Sequence, residues 1–508
     1  MPEMKKKVNF AHMTTTEFKN FILQQSSFIP TIDQFSAIEA FIKLMASREP
    51  TAMILRGSAG TGKTSIVSVM VRSLLALRQK VVLLAPTGRA AKVLSLNCEY
   101  PASTIHRKIY RQKSIGGDFS LDVNMHTDTL FVVDEASMIS TIPQLQTDGM
   151  PMFKGNGGGV IDDLITYVYS GRNCKMLLVG DTAQLPPVGE EEAPALNNAV
   201  IGCYGLNVVD ADLSEVVRQA EESGILWNAT LVRQLITHDD VTQLPRLYFK
   251  AFADIMVLPG NKLIETLEES YASVGIDDTV VITRSNKRAN IYNNGIRTRI
   301  LDYEEELCGG DRIMIVKNHY FNSPEASKPI DDTEKKHLTF IANGDMATVC
   351  RARRTREFYG FRFADITLRF PDYDDEEMQL TAVLDTLQSE APAMTVEQRQ
   401  QLYDGVMADY ADLPRKADRL KAVREDTYYN ALQIKYAYAI TCHKAQGGGW
   451  SHVYVDQGYM TDDMLTPDYI HWLYTAITRA KDVLYLVNWP DTQVASDTSL
   501  TYRLNAGA

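Results

Sequence analysis

The chain has 508 residues, with 45% hydrophobic and 23% charged side chains and a formal net charge of −12. This length suggests about three or four domains, and the balance is that of an ordinary soluble globular protein with ample core. Apolar runs such as residues 81–85 and 130–133 are strand-sized and too short for a bilayer, and no signal-type stretch follows Lys5-Lys6-Lys7, so a cytoplasmic protein without membrane association is expected. The acidic sum weighs mildly against a broad nucleic-acid surface but leaves room for a local basic groove. Cysteines at 98, 174, 203, 308, 350 and 442 form no C-x-x-C pair, so they read as reduced thiols rather than a zinc knuckle or redox pair.

Residues 1–29 read as a helical lead, with Phe18, Phe21 and Ile22 on one face. A helix follows from about Thr31 or Asp33. Its Gln34 carries an amide that could meet the donor and acceptor edge of adenine, or could be an exposed helix glutamine. Next come an apolar strand, residues 51–55, then Gly57-Ser58-Ala59-Gly60-Thr61-Gly62-Lys63-Thr64, then an apolar helix. Strand, G-x-x-x-x-G-K-T and helix in that order form a phosphate-binding P-loop. Backbone N–H groups and the helix dipole would cradle the anion, Lys63 would reach the β- and γ-phosphates, and Thr64 would ligate Mg²⁺.

A second strand, residues 80–85, ends in Pro86-Thr87-Gly88-Arg89-Ala90-Ala91-Lys92. His106, in a polar loop, could contact a phosphate or base or simply be solvated. Residues 107–129 are basic with interleaved aromatics and a Gly116-Gly117-Asp118 turn, which predicts a projecting β-hairpin. Residues 130–133 form an apolar strand ending in Asp134-Glu135. Two such carboxylates suit Mg²⁺ binding and water activation, and read otherwise as an acidic helix cap. A further strand, residues 175–180, leads to Asp181-Thr182-Ala183-Gln184-Leu185-Pro186-Pro187, placing Gln184 where open α/β sheets bind ligands and could sense a γ-phosphate. Arg218 is either a surface ion-pair residue or an arginine that completes the triphosphate site from across a cleft.

A second α/β pattern spans about 216–320 and resumes at 431–508. It includes Thr441-Cys442-His443-Lys444-Ala445-Gln446-Gly447 and a helix ending near Arg479, another candidate phosphate arginine. Between the two parts, residues 321–370 read as a small β-barrel with an Asn343-Gly344 turn, and residues 371–430 as a charged, mostly helical insertion facing solvent.

The ordered series GSAGTGKT, APTGRAAK, STIHR, VVDEAS, VGDTAQLPPVG, LSEVVRQ, TCHKAQG and LYTAITRAK resembles the motif set of superfamily-1 DNA helicases of the RecD-like and Dda-like branch, which move 5′ to 3′. The resemblance covers about residues 30–350 and 430–490 and leaves 371–430 without a counterpart. It implies an α/β fold of two RecA-like P-loop NTPase domains with ATP between them. The first would be 30–215, carrying the hairpin as a short strand-separating pin, and the second 216–320 with 431–508. It implies that Gln34 contacts adenine and that Gly57 to Thr64 bind ATP. Thr64 and Asp134 would hold Mg²⁺, Glu135 would activate water, Gln184 would sense the γ-phosphate, and Arg218 and Arg479 would be arginine fingers. Pro86, Thr87, His106, Asn343, Thr441, His443 and Lys444 fall where the family grips single-stranded DNA. The expected partners are single-stranded DNA and single/double-strand junctions, with a protein partner through 371–430, and the expected setting is replication, recombination or repair. One departure is Gly448-Gly449-Trp450 after Gln446-Gly447, where the family often has an acidic or hydroxyl residue. A translocase that remodels nucleoprotein, a small-molecule P-loop enzyme and a non-catalytic nucleic-acid module are the competing functions.

Overall fold

A computed structural model describes residues 13–112, 119–143, 153–154, 158–215, 223–236, 243–250, 252–320 and 340–495. The chain divides into two compact units: Met1–Arg111 with Asp118–Val217, and Gln112–Gly117 with Arg218–Ala508.

The first unit is built on a six-stranded sheet in the order Ala102–Thr104, Lys80–Ala85, Thr129–Val133, Lys175–Gly180, Thr51–Gly57, Asn207–Leu213. Every neighbouring pair is parallel. Its central strands are continuous apolar runs because helices cover both faces of such a sheet. The lead is part of this core rather than an appendage. The helix Thr15–Gln25, started by a Thr14–Glu17 capping box, buries Phe18 and Ile22, and the Phe18 ring lies 6.2 Å from that of Phe41. Lys175 reaches off its strand to donate to the Leu44 carbonyl at 2.6 Å, the Met45 carbonyl at 3.1 Å and the Ser47 carbonyl. Those carbonyls lie at the C-terminal end of the helix Ile32–Ala46, so the buried ammonium clamps this helix to the sheet.

The expected hairpin at 107–129 starts later than its basic run suggested. Residues Ile105–Ile109 form a short helix, and the strands Tyr110–Gln112 and Phe119–Leu121 join Phe153–Lys154 in a three-stranded sheet. The turn at Gly116-Gly117 lies outside the described residues.

The second unit has a five-stranded parallel sheet in the order Ile255–Leu258, Ala480–Val487, Trp450–Asp456, Thr279–Thr283, Ala439–Thr441. Beside it, Arg312–Ile315, Met346–Phe358, Phe361–Phe370, Glu376–Val383 and Leu432–Tyr436 close into a barrel in that order. The barrel is therefore present but wider in sequence than 321–370, of which 321–339 are outside the described residues. The Asn343-Gly344 turn is also real, with Gly344 at φ 98°, yet its flanks do not form one hairpin. Phe340–Ile341 pairs with His319–Tyr320, whereas Met346–Phe358 enters the barrel.

The insertion 371–430 is not helical throughout. Its charged start, Glu376–Val383, is a strand with an alternating exposed face, paired along its length with Phe361–Phe370. Its exposed positions are Glu377 and Gln379. Only Val396–Asp409 and Lys416–Glu425 are α-helices, and Leu402, Val406 and Val423 pack on Phe361, Phe363 and Val383 of the barrel.

Barrel and sheet are joined by a buried ion pair. Arg297 on the helix Asn286–Arg299 donates from Nε to Asp311 Oδ1 at 2.8 Å and from Nη2 to Oδ2 at 2.9 Å. The side chains are 5% and 0% exposed, the Tyr436 ring lies 4.4 Å from the guanidinium, and Tyr438 Oη donates to Asp311 at 2.9 Å. Removing one member leaves a buried, uncompensated charge, which costs about 3–5 kcal/mol, whereas replacing both with apolar groups costs far less. Arg297→Met should therefore lower the melting temperature sharply, and Arg297→Met/Asp311→Leu should restore most of the loss. A single variant as stable as the parent would contradict this account.

Candidate functional site

In a parallel sheet every strand ends at the same edge, and the loops beyond that edge collect the polar residues that bind ligands. The P-loop leaves Thr51–Gly57 there. Gly57 is required by close approach: a Cβ would lie 2.8 Å from Thr61 Oγ1 and 2.9 Å from Lys63 Cγ. Gly60 and Gly62 both have φ 79°, a left-handed conformation that favours glycine. Ser58 and Thr61 are buried, and Thr61 Oγ1 donates to the Ser58 carbonyl at 2.8 Å. Gly62 caps the helix Lys63–Ala76 without a side-chain bond, so the first-turn N–H groups, Thr64 among them, have no capping side chain and can face an anion.

Lys63 Nζ donates to the Gly57 and Ser58 carbonyls, the latter at 2.9 Å, and stands 3.9 Å from Asp181 Oδ2. Asp181 is 2% exposed and follows the strand Lys175–Gly180. The sequence reading passed over it, although a carboxylate directly after an apolar strand is the same signal that drew attention to Asp134.

Gln34 is not an exposed helix glutamine; it is 2% exposed. Its Oε1 accepts from Thr31 N at 3.1 Å in a capping box, and its Nε2 donates to the Thr61 carbonyl at 3.1 Å. The amide thus straps the N-terminus of its helix to the phosphate loop.

Asp134 and Glu135 follow Thr129–Val133. Glu135 sits at φ 51° and ψ 39° and makes no side-chain capping bond, so the acidic-cap reading fails. A non-glycine residue in this region is strained, a condition that concentrates at functional positions. Burial and then the charge of Glu135 push the Asp134 carboxyl above the usual carboxylate range, against the Glu135 N–H bond of 2.9 Å and the charge of Lys63. Gln184 is 6% exposed, and its Oε1 is buried without a hydrogen-bond partner among the described residues. Such an orphan costs free energy unless something else claims it. Ser137 Oγ, just past Glu135, is likewise buried without a partner among the described residues, and sequence reasoning missed it.

The remaining first-unit candidates end the two neighbouring strands. Pro86 and Thr87 follow Lys80–Ala85, and Thr87 Oγ1 accepts from Ala90 N at 3.2 Å as a helix cap. His106 lies on the helix after Ala102–Thr104, half-buried, with its ring 5.6 Å from that of Tyr110. It is not a solvated loop residue. Burial holds its imidazole well below the usual value, so near neutral pH it can meet a phosphate or base only as a neutral ring. The Asp134 N–H donates to the Leu84 carbonyl at 2.9 Å and so ties these two groups of residues together.

In the second unit, Lys444 Nζ donates to Asn343 Oδ1, joining the barrel turn to the loop after Ala439–Thr441. Burial lowers the Lys444 ammonium to about 8. His443 is exposed, and Thr441 caps the short helix Cys442–Ala445 without a side-chain bond. Arg479 is 5% exposed and donates to the Thr475 carbonyl at 3.1 Å, the Gly448 carbonyl at 3.1 Å and Thr478 Oγ1 at 3.2 Å. Three of its five N–H donors are therefore engaged. At Gly448 the departure has a packing cause: a Cβ there would lie 2.5 Å from the buried Trp450 ring. Arg218 lies outside the described residues.

Two consequences follow from the buried polar atoms. Gln184→Leu removes an unpaired acceptor at similar volume, so melting should hold or rise while triphosphate hydrolysis falls about 100-fold. A loss of stability without loss of hydrolysis would contradict a ligand-directed amide. For Asp134, the folded chain keeps a proton that the unfolded chain has already released. Its ionisation therefore costs stability as pH rises from the ordinary carboxylate range to the raised folded value. Without divalent cations, Asp134→Asn should melt a few °C higher than the parent at neutral pH and converge with it in acid. A lower melting temperature at neutral pH would contradict the assigned cause.

Residues 33–146 match the family model described as an AAA domain, and residues 436–487 match the UvrD-like helicase C-terminal domain. An uncharacterised protein of Acanthamoeba polyphaga mimivirus is 23% identical, over 85% of this chain and 94% of its own length. The ATP-dependent DNA helicase dda of Enterobacteria phage T4 is 23% identical, over 85% of this chain and 93% of its own. The ATP-dependent RecD2 DNA helicase of Deinococcus radiodurans is 31% identical over 137 residues, 27% of this chain and 16% of its own. With eight motifs in order, a P-loop on a parallel sheet and these matches, the chain is similar to superfamily-1 helicases of the RecD-like and Dda-like branch.

Proposed function

We propose that the protein is an ATP-dependent DNA helicase that translocates 5′ to 3′ on single-stranded DNA and opens duplex at single/double-strand junctions, in replication, recombination or repair. The observation that carries this reading is the order of residues along one sheet edge. The P-loop, Asp181 with Gln184, and Asp134 with Glu135 end three adjacent strands; Pro86–Thr87 and His106 end the next two. On this reading a triphosphate site and a strand-gripping site share one sheet edge.

Several features of the structure support the roles proposed for these residues. Lys63 is held by loop carbonyls, so its ammonium is placed before substrate arrives. The uncapped helix N-terminus and loop N–H groups take phosphate oxygens. Glu135, held in a left-handed conformation and not used as a cap, orients and deprotonates the attacking water. Gln184 offers its free amide oxygen to that water or to the γ-phosphate region, and Arg218 and Arg479 supply transition-state charge. The residues fit a divalent cation: Asp134 is a desolvated carboxylate next to a second one. Thr64 and Asp134 are the groups that would hold Mg²⁺, whose charge offsets that of the phosphates when bound. Gln34 senses adenine by exchanging its bond to the Thr61 carbonyl for one to the base. Asn343, Thr441, His443 and Lys444 grip the DNA backbone from the second unit. The exposed charged faces of the two insertion helices would serve a protein partner.

Lys63→Ala should lower ATP turnover at least about 100-fold while leaving binding of a single-stranded oligonucleotide intact. Wild-type hydrolysis in that variant would overturn the assignment. Basal turnover in the parent that ignores added single-stranded DNA would instead favour a small-molecule P-loop enzyme.

A further inference from the structure

The barrel carries a polar outer face that the proposed motor does not use. Cross-strand register aligns Arg351 with Thr367 and Gln379, and Arg353 with Asp365 and Thr381. Residues two apart on a strand share a face, so these are two rows of one surface. Segment 425–430, where the charged insertion returns to the barrel, lines the same space and leaves a groove of about 550 Å³.

Arg351, Arg353 and Arg354 all line this groove and are exposed. Arg354 has φ 53° within the bulge between Arg353 and Arg356, which brings a third arginine to the same groove. None of the three has a hydrogen bond or ion pair among the described residues. The carboxylates nearby are mostly committed elsewhere. Asp365 receives Arg356, and Asp426 accepts from Tyr410 Oη at 3.0 Å and from the N–H groups of Tyr428 and Tyr429 at 2.8 and 2.9 Å. Glu425 is the exception. Three neighbouring guanidiniums then face a single uncommitted carboxylate, so they repel one another, and an anion in the groove relieves that repulsion.

We propose that this groove binds the sugar–phosphate backbone of a nucleic-acid strand, as a contact separate from the Asn343–Lys444 pair. The proposal rests on the DNA-helicase reading. Arg351 and Arg353 are about 7 Å apart along their strand, a repeat that an extended phosphodiester chain can follow. Planar guanidiniums suit phosphate oxygens bidentately, and the neutral Thr367, Gln379 and Thr381 between them add hydrogen bonds without charge. Only Ile366 and Leu380 are apolar in the lining, which gives an acidic peptide little to anchor its side chains.

The test is equilibrium binding of a labelled single-stranded oligonucleotide to the full chain across a salt series, for the parent and for Arg351→Gln/Arg353→Gln/Arg354→Gln. Loss of three phosphate contacts should weaken binding about tenfold or more and reduce the slope of log affinity against log salt by about 2. Melting temperature and ATP turnover without DNA should be unchanged. Parent-like affinity and slope in the triple variant would overturn the proposal. A parent chain that binds no DNA would instead overturn the helicase reading itself. Poly-glutamate binding that the triple variant loses, with DNA binding unchanged, would overturn the proposal in favour of an acidic polypeptide.

Discussion

The parallel first sheet is the constraint on which the rest depends. All six strands run the same way, so the chain must return to the opposite edge after each one, and every functional loop is delivered to a single edge. Strand order then decides which loops are neighbours. The phosphate loop lies next to the strand that ends in Asp181, and that strand lies next to the one that ends in Asp134. Residues separated by more than one hundred positions in sequence become one site through strand pairing alone. The Asp134 N–H to Leu84 carbonyl bond carries the same logic one strand further, to Pro86 and Thr87.

Around that edge, single bonds do the positioning. Lys175 holds the C-terminus of the Gln34 helix, and Gln34 holds Thr61 at its N-terminus. The phosphate loop is therefore connected through one helix to a buried lysine on the central sheet. In the second unit, Arg479 holds the Gly448 carbonyl and Lys444 holds Asn343. Both residues expected to handle phosphates also brace loops in this structure. A ligand that claimed them would loosen those braces, which is how binding energy can be turned into movement of a loop.

The P-loop was legible in the sequence because its glycines are demanded by backbone conformation and close approach, which leave a mark in residue type. The Asp134-Glu135 pair was legible because carboxylates at the end of an apolar strand are costly without a purpose. Gln34 and His106 were ambiguous because burial is decided by elements far away in sequence. Asp181 carries the same signal as Asp134 but stands alone rather than in an acidic pair, and Ser137 is a single hydroxyl with little signal until its surroundings are seen. The barrel was misjudged at its edges for a related reason. The strand Glu376–Val383 begins with two acidic residues on opposite faces, and only its pairing with Phe361–Phe370 shows it to be a strand. Where the family often has an acidic or hydroxyl residue, Gly448 is required by the close approach of Trp450.

The central claim is that these residues form a DNA motor with a direction. Unwinding of two forked duplexes by the full chain, one with only a 5′ single-stranded tail and one with only a 3′ tail, tests it most directly. The account predicts ATP-dependent strand separation of the 5′-tailed substrate and little of the 3′-tailed one. Equal unwinding of both, or ATP-dependent unwinding of the 3′-tailed substrate alone, would contradict it.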